Sequence, residues 1–125
     1  AGLAAALRDE ALDPAFRALV LALPSEEETA QALHAAGHTP DPTAIHAAHE
    51  ALRHAMALQL ADDLPGVLAA MAVPGPFSPD AVSAGKRSLS NAALALVTRL
   101  DGGAAARAQF AAADNMTMTL AALSC

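Results

Sequence analysis

Apolar residues along this chain recur at three- and four-residue steps, the spacing that gathers side chains onto one face of an α-helix. Four stripes stand out: Phe16, Leu19, Val20 and Leu23; Ile45, Leu52, Met56 and Leu60; Leu64, Val67, Leu68 and Met71; Val82, Leu89, Leu96 and Leu100. No alternating strand pattern competes with them. The start signals agree with the stripes. Asp13-Pro14, Asp41-Pro42 and Ser78-Pro79 each put a capping side chain before a proline at the first helical position, where the missing N–H removes nothing. Ser25 with Glu28 forms a capping box, and Gly37 and the pair Gly102-Gly103 read as stops. Together these marks predict about eight helices. They run over 3–12, 14–23, 25–36, 42–61, 63–72, 79–100, 103–113 and 115 to the end, with an ordered Pro-rich loop, VPGPFSP, at 73–79.

Composition fixes the class. The chain is 54% hydrophobic but only 2% aromatic, with alanine and leucine supplying the bulk. Both are strong helix formers and β-branched residues are scarce, so the fold is all-α. Pattern alone leaves a helical solenoid and a compact bundle equally open. A net charge of −6 argues against nucleic acid and against an anionic membrane surface. No apolar run reaches the roughly 20 residues that span a bilayer. The single Cys125 can form no internal disulfide, and the first residues lack the basic start of a signal peptide. The expectation is a cytoplasmic source.

The last stretch, ADNMTMTLAALSC, starts a helix and never closes it. Asp114 or Asn115 caps the start, and Met116, Leu120 and Leu123 recur at i, i+4 and i+7. No Gly, Asn or Pro follows. The expectation is one helical domain, residues 1–125, cut from a longer chain at its C-terminus and its N-terminus. In a stacked-helix array such a cut leaves an apolar face uncovered, which points to self-association through 115–125.

Candidate chemistry is concentrated in HAAHEALRHA, residues 46–55. His49-Glu50-x-x-x-His54 is one residue longer than the zincin motif H-E-x-x-H. The i, i+4 spacing sets two side chains about 40° apart around a helix, whereas i, i+5 sets them about 140° apart, too far for one metal. His46, Glu50 and His54 could share a face and hold a metal weakly, or Glu50 could simply pair with both histidines along the helix surface. The second reading is preferred. Lys86, Arg87 and Arg99 read as ordinary surface, and Asn91, poorly suited to mid-helix, reads as a hydrogen-bond partner for a neighbouring segment. Met56, Met71, Met116 and Met118 fit core packing. No triad, P-loop or glycine-rich cradle is present in the sequence. No catalytic, cofactor or metal residue is nominated.

Several segments resemble the C-terminal helical region of the bacterial aminopeptidase N family of zinc-dependent alanyl aminopeptidases. The carriers are ALDPAFRALVLALPSEEE (11–28), DPTAIHAAHEALRHAMALQLADDL (41–64), GKRSLSNAALALVTRL (85–100) and ADNMTMTLAALS (113–124). They fall in the family's order; Met118 departs from it where relatives often carry an acidic residue. The resemblance implies stacked antiparallel helical pairs in an armadillo- or HEAT-like superhelix that closes over the catalytic chamber. It also implies zinc in the parent enzyme, with the catalytic domains and peptide substrates as partners. The family's H-E-x-x-H, Gly-x-Met-Glu-Asn and catalytic Tyr have no counterpart here, so no catalytic residue carries over. The expected role is a non-catalytic piece that encloses and gates the peptide chamber. The alternatives are a free-standing helical interaction module and a metal-holding protein using the histidine face.

Overall fold

A computed structural model describes residues 2–125. Among these residues there are eight α-helices and no strand: α1 (Gly2–Arg8), α2 (Pro14–Val20), α3 (Glu26–Ala35), α4 (Pro42–Gln59), α5 (Leu64–Ala70), α6 (Ala81–Asp101), α7 (Ala104–Ala112) and α8 (Met116–Leu123). The local chemistry acts largely as the sequence predicts. Asp13 accepts the N–H groups of Ala15 and Phe16, and Asp41 those of Thr43 and Ala44. The Ser25–Glu28 capping box is complete in both directions. Gly102 and Gly103, at φ 62° and 83°, take the left-handed turn between α6 and α7 that a side chain would resist.

Most boundaries shift by one or two residues from the sequence reading, and three departures stand out. Helix α1 stops at Arg8 instead of running to 12, because the Asp9 carboxylate accepts the Ala11 N–H and turns the chain. Helix α2 ends at Val20, three residues early, ahead of Pro24. The start of α6 is capped by Asp80, not Ser78. The Asp80 carboxylate accepts the Ser83 N–H, and the Ser78 hydroxyl donates to Asp80 instead of accepting a helix N–H.

Helix α6 is the hub. Helices α2, α4, α5, α7 and α8 all pack on it, while α1 lies on α2 and α7 lies against α8. Helix α3 packs on α4 and buries none of its residues. The main core gathers Leu7, Leu21, Met56, Ala57, Leu60, Leu64, Val67, Met71, Leu89, Ala93 and Leu96. A second, smaller core joins Leu94, Ala106 and Ala122. Leu89, Ala93 and Leu96 share one side of α6 by their spacing, and Leu94 falls on the other, so a single helix walls both cores.

Six residues expected in the core are exposed: Phe16, Leu19, Leu52, Val82, Leu100 and Met116. Small residues explain the shift on α2. A Cβ at Gly85 would sit 3.3 Å from the Ala15 nitrogen, so α2 and α6 meet backbone against backbone. The face that approaches is the small one, with Ala15 and Ala18, and it turns Phe16 and Leu19 outward. Ala57 and Ala93 are fully buried.

Candidate functional site

The histidine stretch lies on α4, and its side chains diverge. His46 is exposed and its Nδ1 meets Glu26 Oε1 of α3 at 2.8 Å. His49 is buried, with Nε2 3.1 Å from the Thr29 hydroxyl. That hydroxyl donates to the Ser25 carbonyl, so its lone pairs are left to accept the His49 N–H. Glu50 turns to α6 instead of to either histidine, and His54 is exposed. Among the described residues no group of three His, Cys, Asp or Glu side chains is placed to hold a metal. The donor set on α4 does not fit zinc, since His46, His49 and Glu50 are each directed at a different neighbour and His54 is exposed.

What the stretch does contain is an ion clamp. Glu50 Oε1 accepts from Arg99 Nη2 at 2.9 Å and from Arg53 Nη1 at 2.8 Å, tying α4 to the last turn of α6. The Arg99 and Arg53 hydrogen bonds, in that order, hold the Glu50 carboxyl down to about 2 from an ordinary 4.5. A carboxyl lowered by folding stabilises the fold above its unfolded value and loses that contribution as it is protonated. Glu50→Gln should therefore cost about 1 kcal/mol at neutral pH, the scale of a half-exposed pair. The gap between variant and parent should close as pH falls from 4.5 towards about 2. Melting curves of both chains across that range check it. At the other end of α6, the Ser78 hydroxyl and the Ser83 N–H and hydroxyl hold Asp80 well below the usual carboxylate range.

Two of the residues read as surface are structural. Arg87 is buried; its guanidinium lies 4.5 Å over the Phe77 ring and donates to the Ser78 carbonyl at 2.8 Å. It thereby fastens the Pro-rich loop to α6. Arg99 belongs to the Glu50 clamp. Asn91 meets the expectation set for it: Gln109 Nε2 of α7 donates to Asn91 Oδ1 at 3.1 Å and to the Met118 carbonyl of α8 at 3.0 Å. Buried Arg17 had no sequence signal beyond its place one turn before buried Leu21.

A concavity of about 480 Å³ runs between α6, α7 and α8, lined in part by Thr98, Ala106, Arg107, Phe110, Ala122 and Leu123. Beside it α8 leaves Met116, Leu120 and Leu123 exposed at 76%, 54% and 64%. The described residues include no helix long and apolar enough to cross a membrane.

The described residues are helical throughout their regular structure, with α2, α4, α5, α7 and α8 gathered on α6 and apolar side chains exposed on α8. The chain belongs to the family described as a domain of unknown function (DUF3458_C) with ARM repeats, which matches residues 1–125. It is similar to aminopeptidase N of Caulobacter vibrioides, 44% identical over 115 residues, covering 90% of this chain and 13% of that protein. It is also similar to aminopeptidase N of Escherichia coli K12, 37% identical over 124 residues, covering 96% of this chain and 14% of that protein. Among solved structures it superposes on Legionella pneumophila aminopeptidase A in complex with aspartic acid. The TM-score is 0.76 at 25% identity, over 97% of this chain and 15% of that one. The chain thus spans about one-seventh of the length of the curated relatives it matches.

Proposed function

We propose that this chain is a non-catalytic part of the C-terminal helical domain of a cytoplasmic zinc metallo-aminopeptidase, where it helps enclose and gate the chamber that admits peptides. The observation that carries this reading is the match of nearly the whole chain to a short stretch of two aminopeptidases N. The side chains support it. Glu50 of α4 and Arg99 of α6 are spent on joining their helices, and neither is arranged with a nucleophile, base or electrophile. Zinc would belong to the catalytic domain of such an enzyme and not to α4.

The isolated chain should release no product from alanyl or leucyl anilides, with or without added zinc; chelator-sensitive turnover that follows the protein through purification defeats the proposal. Enclosure needs its own test, in the full-length enzyme. Loosening α2 against α6 by Gly85→Val should preserve zinc content and anilide turnover while changing KM for longer peptides. Equal changes for both substrates count against a gating role.

The open stripe on α8 favours a second property. Burying Met116, Leu120 and Leu123 contributes roughly 4–8 kcal/mol before ordering costs. The isolated chain therefore pairs through 115–125 with a second copy at high concentration. Sedimentation under reducing conditions should show a dimer that Leu120→Asp with Leu123→Asp abolishes. A monomer in both cases removes the idea.

A further inference from the structure

A second cavity, about 250 Å³, opens where α1, α2 and α5 meet, and its lining includes Leu7, Arg8, Glu10, Arg17, Asp63 and Val67. Arg17 is more than nine-tenths buried. Its Nη2 donates to the Leu7 carbonyl at the end of α1, and its Nε has no partner. It enters no ion pair among the described residues. A single carbonyl answers little of a buried guanidinium, which carries five donors and a full charge. The obvious counter-ion is taken: Asp63 is held by Arg8 through two hydrogen bonds of 2.6 and 3.0 Å. Glu10 is exposed on the same cavity and has no ion-pair partner among the described residues.

The cavity therefore offers one unanswered cation in its wall and one unanswered carboxylate at its surface, beside the apolar side chains of Leu7 and Val67. A simple anion would meet Glu10, and a simple cation would meet Arg17. Only a ligand carrying both charges satisfies both. The volume lies below the roughly 300–1,000 Å³ of pockets that hold drug-sized ligands. We propose that this cavity binds a free α-amino acid with an apolar side chain. Its carboxylate lies on the Arg17 guanidinium, its ammonium on Glu10, and its side chain along Val67 and Leu7. Charge-assisted hydrogen bonds at both ends supply the orientation. The inference stands on this cavity alone and does not depend on the aminopeptidase reading.

The test is titration of the isotopically labelled chain with leucine, leucinamide and N-acetylleucine, followed by amide chemical shifts and calorimetry. Leucine should give saturable shifts confined to residues 7–17 and 63–67. Leucinamide, which lacks the carboxylate, and N-acetylleucine, which lacks the ammonium, should each bind about tenfold more weakly. Glu10→Gln removes a surface charge without touching the core; it should weaken leucine and leave N-acetylleucine unchanged. Arg17→Met should weaken leucine and N-acetylleucine and leave leucinamide, which has no carboxylate to place there, unchanged, with circular dichroism confirming the fold. Absence of saturable shifts, or equal binding of leucine and leucinamide, overturns the proposal. So does a Glu10→Gln variant that melts lower without ligand and binds leucine normally, because Glu10 would then be the counter-ion of Arg17 itself.

Discussion

Leu89→Ala should lower stability by about 3–5 kcal/mol, the upper part of the range for a fully enclosed leucine. Leu89 is 0% exposed and stands on α6 in the main core, among side chains from α1, α4 and α5. The loss combines the transfer free energy of the missing carbons with a void that rigid helices cannot close. With a core poor in aromatics, such a change consumes a large part of the stability a domain of this size possesses. A fall in melting temperature of about 10–20 °C is expected, read by circular dichroism. Leu120→Ala on exposed α8 serves as the control and should shift a dilute sample by less than a few degrees.

Gly85→Val should produce the second-largest loss, about 2–3 kcal/mol. A Cβ at this position meets the Ala15 nitrogen at 3.3 Å, the Ala15 Cβ at 3.6 Å and the Pro14 Cβ at 3.8 Å. The closest of these is backbone, in the first turn of a helix whose cap at Asp13 fixes it in place. Alanine adds only the crowded Cβ and gains up to about 1 kcal/mol of helix propensity, so Gly85→Ala should be nearly neutral. Valine adds two more carbons and forces α2 away from α6. Urea unfolding of the two variants separates the cases: a large drop for valine with little change for alanine supports close backbone packing. Equal drops would mean that the glycine serves some other purpose.

The sequence disclosed what local chemistry controls. A capping side chain and a proline act within one turn, so the starts of α2, α3 and α4 and the αL turn at Gly102-Gly103 were readable from neighbours alone. Ser78 failed as a cap because Asp80, two residues on, is the better acceptor and also captures the Ser78 hydroxyl. The burial pattern was less readable. Periodicity weights large side chains, whereas α2 and α6 approach through Gly85 and Ala15, a match that exists only once the helices have met. The same holds for charge. Glu50 was read against histidines on its own helix, yet its partner Arg99 lies 49 residues away. The cavity beside Arg17 is a junction of three helices and left no motif.

Helix α6 separates the two cores, and this has a consequence for how the chain comes apart. In an extended array of repeats, order can be lost from one end while the other persists, since each unit leans only on its neighbours. Here Leu94 cannot leave Ala106 and Ala122 without the backbone that also holds Leu89, Ala93 and Leu96 in place. A tug on α8 reaches the α4–α5 side through a single rigid rod about 30 Å long. The segment therefore behaves as one mechanical part, transmitting force across its width instead of flexing within it.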